Sequence, residues 1–281
     1  MLSTGKVGVP VWRRVKLINK VLTEIRQARS VKTEIAVREL SIEVAHNIRH
    51  LGGYRTREGG HTASTDLIRS ATLHRLTERG IETIVERGVR TIIDFRSEEE
   101  RERDVTPETS QYGIKNVHAP VFRSDASPTG LGNKEFPGYG FVYQRFLEIG
   151  ADAYRTLFET IADTHEGVLF HCAAGKDRTG VAAALLLEVS GAEHDEIVSD
   201  YVRTTELLQP LAKEWMPDMK KRGIDEERAG QLLGAPREAI ETALATIREH
   251  HGGAETYLRG IGVSELVISA VRARITGTNG N

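Results

Sequence analysis

The sequence predicts an α/β fold. A mainly parallel twisted sheet is flanked by helices, with a largely helical C-terminal third and a helix near the N-terminus. Three observations predict it. Short apolar runs at 91–95, 115–122 and 168–171 have strand length, and helical-period segments separate them, which is the β-α-β alternation of a parallel sheet. Beyond residue 180 only helical periodicity remains. Between these regions, the stretch His171-Cys172-Ala173-Ala174-Gly175-Lys176-Asp177-Arg178-Thr179-Gly180 joins an apolar strand to a segment, 181–187, that is apolar all round. Such a segment reads as a buried helix, so the ten residues form a strand-to-helix turn.

In chain order, residues 10–30 read as an amphipathic helix with Trp12, Val15, Ile18, Val21, Leu22 and Ile25 on one side. The first 40 residues carry nine Lys and Arg against three Glu. Three roles stay open for residues 1–37: a helix docked on the following domain, a basic helix for an anionic membrane surface, or an oligomer contact. Residues 38–281 are expected to form the main domain. Residues 38–57 alternate weakly around Gly52-Gly53 and predict short antiparallel strands and turns. Ile81, Ile84 and Val85 fall at helical spacing, and Gly88 marks the stop. After the strand at 91–95, Ser97 and Glu100 have the spacing of a capping box. Residues 124–140 hold Pro128, Gly130, Gly132, Pro137, Gly138 and Gly140 and predict a long functional loop. Tyr139, Phe141 and Tyr143 follow; they could flank a substrate ring, but core packing is the expected role. Tyr154, Leu157, Phe158 and Ile161 mark the helix before the strand at 168–171. Later helices are marked by Ile197, Val198, Tyr201 and Val202, by Ile240, Ala243, Leu244 and Ile247 after Pro236, and by Ile268 and Val271 after a Ser264 cap. Residues 203–235 are less regular.

Composition narrows the function. The single cysteine excludes an intramolecular disulfide, and no Cys/His spacing resembles a zinc site, so no metal and no cofactor are expected. No apolar run approaches the roughly twenty residues of a membrane span, and the N-terminus lacks a signal-peptide core, so a cytoplasmic location is expected. A formal net charge of −2 argues against nucleic acid as a partner.

The turn itself has readable chemistry. N–H groups of a loop and first helical turn have no intrahelical acceptors, and the helix dipole adds positive charge, so the loop is an anion site. Arg178, six positions after Cys172, can hold two phosphate oxygens with its planar fork. The same field favours a Cys172 thiolate, which beneath a bound phosphoryl group suits in-line attack and a phosphocysteine intermediate.

His-Cys-x5-Arg-Thr resembles the signature of the cysteine-dependent phosphatases, which include tyrosine, dual-specificity and phosphoinositide enzymes. The fuller His-Cys-x-x-Gly-Lys-Asp-Arg-Thr-Gly is similar to a bacterial branch with mycobacterial and cyanobacterial members. Asn47-Ile48-Arg49-His50-Leu51-Gly52-Gly53-Tyr54, Leu67-Ile68-Arg69-Ser70 and the run from Thr91 to Ser97 match further blocks of that branch, which usually has Asp at the place of His50. The resemblance covers roughly residue 40 to the C-terminus. It implies a phosphatase-type sheet, Cys172 as nucleophile, Arg178 as phosphate clamp, His171 as a brace, and backbone groups of Ala173, Ala174, Gly175 and Lys176 around the phosphoryl oxygens. Thr179 would hydrogen-bond the thiolate. The region about thirty residues ahead of the cysteine, where many relatives carry a general acid, has none, and the branch implies Asp177 for that role. Asp125 and Asp94 are weaker candidates. A helical cover at 203–235 and export without a signal peptide are also implied by mycobacterial members.

Rival readings fare less well. The first glycine of a nucleotide-binding P-loop would fall at Phe170, and Asp177 stands where Ser or Thr would hold magnesium. Rhodanese-type sulfur transfer does not require the arginine. A silent phosphate-binding module would typically lack Cys172 or Arg178. The expected substrate is phosphotyrosine, with dual specificity open. Phosphoinositides, favoured by the Lys176 charge, come second.

Overall fold

The computed structural model describes residues 38–122 and 138–278. The chain divides into two compact units, Met1–Glu39 and Leu40–Asn281. The helix expected at 10–30, the loop to residue 137 and Asp125 lie outside the described residues.

The second unit is built on a five-stranded sheet. Its strands are β1 (Arg49–His50), β2 (Leu67–Ser70), β3 (Val89–Asp94), β4 (Lys115–His118) and β5 (Gly167–His171), in the order β1-β2-β5-β3-β4. Only the β1–β2 pair is antiparallel; the other neighbours run parallel. The strand expected at 115–122 stops early. Ala119 and Val121 still donate to the carbonyls of Asp94 and Phe95, but Pro120 between them has no N–H, and the regular ladder ends.

Strand alternation splits the core in two. Val168 and Phe170 of β5, with Leu67 and Ile93, face one apolar cluster, whereas Leu169, with Ile68 and Ile92, faces another. Helix α1 (Glu78–Glu86) covers the second face through Ile81 and Ile84. It begins on the Thr77 side chain, which accepts from Gly80 N. Helix α2 (Glu98–Arg103) opens with the expected capping box between Ser97 and Glu100.

The first face is covered by α3 (Tyr139–Ile149), α4 (Ala151–Asp163), α5 (Asp177–Val189) and the C-terminal helices, chiefly α9 (Arg237–His251) and α11 (Glu265–Thr276). Helix α5 is buried on all sides, as its unbroken apolar run requires. Between it and α9 lie α6 (His194–Leu207), α7 (Gln209–Lys221) and α8 (Glu226–Leu233); α10 (Ala254–Gly260) precedes α11. The stretch 203–235 is thus helical rather than irregular, and mixed exposure along α7 and α8 is what blurred its period. No helix among the described residues is long and apolar enough to cross a membrane.

The ends of β2, β3 and β5 coincide: Ser70 and Asp94 both pair with His171. The ten-residue turn therefore leaves the sheet at its centre, at the carboxyl ends of parallel strands, where α/β folds place their ligands.

Candidate active site

Four successive carbonyls of the turn are tied, the first by His171 at the start of the turn and the next three from outside it. His171 Nδ1 meets Cys172 O at 3.1 Å, and because a carbonyl only accepts, Nδ1 carries the ring proton. Thr72 N donates to Ala173 O at 2.9 Å. Asn47 Nδ2 donates to Ala174 O and Gly175 O, both at 3.0 Å, and Arg69 Nη2 donates to Gly175 O at 2.7 Å. A trans peptide points its N–H opposite its C=O. The N–H groups of Ala173, Ala174, Gly175 and Lys176 therefore turn away from these anchors, and none has an acceptor among the described residues. The first N–H groups of α5 add to the set. The result is a cup of donors with Cys172, 2% exposed, at its strand end.

Gly175 makes the turn feasible. Its φ is +64°, and a Cβ there would stand 2.3 Å from Ser70 O and 2.6 Å from Ala71 N, so any side chain would push the loop off the sheet.

Beneath the loop lies a buried ionic cluster. Asp200 of α6 accepts from Arg49 Nε at 2.7 Å, from Tyr54 Oη at 2.7 Å and from Arg69 Nη1. Arg49 Nη1 also donates to the Asn47 side chain and holds it against the loop. Burial disfavours the Asp200 carboxylate, but Arg49 and Arg69 outweigh it and hold its pKa well below the usual carboxylate range. Its stabilising contribution is present above about pH 4 and is lost as pH falls toward the depressed folded value. Asp200→Ala leaves two arginines uncompensated and is expected to cost ~3–5 kcal/mol, measured by denaturant unfolding at pH 7.

Arg178 is held by a residue whose role the sequence did not reveal. Its Nη1 and Nη2 donate to Glu100 at 2.5 and 2.8 Å, and Nη1 reaches Phe95 O at 3.4 Å. Glu100 Oε2 also accepts from Ser97 N at 2.9 Å, so the capping box of α2 locks the arginine's partner. A guanidinium has five N–H donors. Three are engaged here, and the two left, on Nε and Nη2, share one edge. The two-point phosphate grip expected of Arg178 therefore belongs to the side of the fork rather than its tip. Phe122 lies 4.6 Å from the guanidinium carbon and closes one face. Burial disfavours the cation, but Cys172 and Glu100 more than restore it, and its pKa is raised.

Asp177, the first residue of α5, accepts from Tyr143 Oη at 2.8 Å on Oδ1, and Lys176 Nζ lies 3.5 Å from the same oxygen. Tyr143 is fully buried but is not simply core, and Phe141 is 54% exposed, which overturns the core expectation for that residue. Lys176 is only 4% exposed; its ammonium donates to Leu232 O at 2.6 Å and Gly234 O at 3.0 Å. It neutralises the C-terminal end of α8 instead of presenting a charge to substrate, contrary to expectation. Leu208 and Leu211 pack with Ala71, and Ala174 and Trp215 lie against them, so the stretch 203–235 touches the loop at two points.

Two further expectations change. The Thr179 hydroxyl is buried without a partner among the described residues, so the expected bond to Cys172 is not formed. Its usual acceptor four residues back, Gly175 O, is already taken by Asn47 and Arg69. Asp94 is committed to Arg96 through Nη2 at 2.7 Å; burial opposes its charge, but His171 and Arg96 hold the carboxyl well below the usual range, which unsuits it as a proton donor. His50, at the place of the family Asp, accepts from Gly52 N at 3.0 Å through Nδ1, a turn-capping bond that a carboxylate could also make.

Residues 40–277 match the family model described as the tyrosine phosphatase family. The chain belongs to that family. A tyrosine-protein phosphatase of Nostoc commune is 30% identical over 218 residues, covering 74% of this chain and 73% of that one. The triple specificity protein phosphatase PtpB of Mycobacterium tuberculosis is 34% identical over 122 residues, 39% of this chain and 44% of that one. Among solved structures, the core catalytic domain of the PP-IP phosphatase SIW14 of S. cerevisiae, in complex with citrate, has 16% identity and a TM-score of 0.36 over 67% of this chain and 97% of that one. This tyrosine phosphatase family member is a hydrolase of phosphorylated substrates. Its blocks around Asn47 and Arg69 were visible in the sequence as motifs without a task. Glu100 was visible only as a cap, Tyr143 only as one of three aromatics after the loop and Tyr201 only through helical spacing, while Asp200 carried no signal.

Proposed function

We propose that the protein hydrolyses phosphotyrosine through a cysteinyl-phosphate intermediate. The observation that carries this reading is the cup itself: consecutive carbonyls from Cys172 to Gly175 are tied outward, which turns four N–H groups toward the space after the cysteine. The donors are fixed before substrate arrives and oppose charge on the transferring phosphoryl group without reorganising. Ala173, Ala174, Gly175 and Lys176 supply backbone groups, and the Nε/Nη2 edge of Arg178 holds two oxygens.

In the first step the Cys172 sulfur attacks phosphorus. The S–P bond forms as the P–O bond to the leaving group breaks, and Asp177 gives its proton to the departing oxygen. In the second step water attacks phosphorus, the S–P bond breaks, and the water proton passes to Asp177. Free phosphate and the thiolate result. The buried Thr179 hydroxyl makes no other hydrogen bond among the described residues, and in this scheme it serves the returning thiolate. No metal enters the scheme, so activity is expected to persist in EDTA.

Phosphotyrosine is favoured over phosphoinositides because the charge that favoured a polyanionic lipid, Lys176, is spent on α8 carbonyls. The triple specificity in the name of the mycobacterial relative makes the comparison worth running. The direct test presents phosphotyrosine, phosphoserine and phosphoinositide substrates in EDTA, with acid quenching to trap labelled phosphoenzyme. Turnover led by phosphotyrosine, with label lost in Cys172→Ser, supports the proposal; label retained in that variant, or no turnover of any phosphomonoester, rejects it. Asp177→Asn is expected to slow esters with poor leaving groups by about 10²-fold or more and those with good ones far less. Equal slowing of both would remove Asp177 as the acid.

A further inference from the structure

We infer that Tyr143, backed by Tyr201, is a positioning residue that fixes which oxygen of Asp177 carries the transferable proton. The inference rests on the reading of Asp177 as general acid. Tyr143 Oη donates to Asp177 Oδ1 at 2.8 Å and also meets Tyr201 Oη. A phenol has one O–H, and that of Tyr143 is directed at the carboxylate, so Tyr201 must be the donor in the second bond. The chain of donation runs Tyr201 to Tyr143 to Asp177 Oδ1.

Lys176 Nζ stands 3.5 Å from the same Oδ1. One hydrogen-bond donor and a nearby ammonium at the same oxygen disfavour a proton there. Asp177 Oδ2 has no hydrogen-bond partner among the described residues, and the side chain is 19% exposed. The proton of the acid form therefore resides on Oδ2, the free oxygen, which is the one able to meet a leaving group. Once that proton has gone to the departing oxygen, the same Tyr143 bond stabilises the carboxylate that must next accept a proton from water.

Both phenols are held rigidly. Tyr143 is fully buried on α3 and Tyr201 is 1% exposed on α6. Burial, with Asp177 nearby, raises the pKa of each, so both keep their protons. Their rings meet edge to face with centroids 6.2 Å apart. Tyr201 directly follows Asp200, so adjacent residues of α6 brace the two sides of the loop: Asp200 acts through Arg69 on the Gly175 carbonyl, and Tyr201 acts through Tyr143 on the acid.

The test is a leaving-group series of aryl phosphates, from 2,4-dinitrophenyl phosphate to phenyl phosphate, read as kcat/KM for the full-length protein and its variants. Tyr143→Phe is expected to lose about 10-fold on phenyl phosphate, a fraction of the full acid contribution, and within about twofold on the dinitrophenyl ester. Adding Tyr143→Phe to Asp177→Asn is expected to change nothing further. Tyr201→Phe should show the same pattern with a smaller loss, and it carries the test should Tyr143→Phe not fold. An equal loss across the series, or no loss, in Tyr143→Phe while Asp177→Asn keeps its leaving-group dependence overturns the positioning role and leaves the acid standing. Uniform slowing in Asp177→Asn overturns both.

Discussion

Cys172→Ser is expected to reduce turnover by on the order of 10⁴-fold or more while phosphotyrosine still binds. Serine keeps the size of the side chain and leaves the cup untouched, because the cup is built from backbone groups and from anchors on other elements: Thr72, Asn47, Arg69 and His171. What is lost is an anionic nucleophile. A serine hydroxyl is a far weaker nucleophile than a cysteine sulfur, and among the described residues no histidine ring hydrogen-bonds to the side chain at position 172; His171 Nδ1 bonds to the Cys172 carbonyl instead. Equilibrium binding of a phosphotyrosine peptide, with Kd close to KM of the wild type, checks the first half; single-turnover assay checks the second. Residual turnover within about tenfold of wild type would mean that the covalent step runs through another group.

Arg178→Lys is the second large effect, on the order of 10²–10³-fold in kcat. Charge is kept, so electrostatics alone predicts a mild phenotype; geometry predicts a severe one. The arginine divides its donors between Glu100 and Phe95 on one side and the Nε/Nη2 edge on the other. A lysine is shorter in reach and presents a single point charge. It can satisfy Glu100 or a phosphate, not both in fixed register. Glu100, whose pKa burial would raise but Arg178 holds down, would also lose its bidentate partner. Glu100→Gln separates the two roles. It keeps an acceptor for Arg178 but removes the charge that aims it, and kcat should fall less than in Arg178→Lys. Comparable losses in both would assign the whole effect to aiming.

Much of this arrangement was legible before any coordinates. The strand-to-helix turn, the buried helix after it, the capping box at Ser97 and Glu100 and the stop at Gly88 follow from local rules that act over a few residues. Cys172 and Arg178 stood out as candidates because their spacing is local too: both lie in one strand-to-helix loop, whose free N–H groups favour an anion. What failed were assignments that depend on partners far away in the chain. Lys176 looked like a free charge until the end of α8, some 56 residues on, supplied two carbonyls. Tyr143 is core as expected, but its hydroxyl also donates to Asp177, 34 residues away, which no local pattern announces.

The sequence by itself determined which groups the loop offers for the proposed chemistry, because the candidate residues and the glycine that bends the loop lie within ten consecutive positions. Tertiary structure alone decided how that loop is held and aimed. Asn47, Arg69, Glu100 and Asp200 reach it from the first strands and the turn before them, a capping box and α6 across 78 to 131 positions of chain, counted along their bonds to the loop or to one another. Hydrogen-bond partners at such separations are set by the packing of whole elements, and no periodicity or spacing within one segment encodes them.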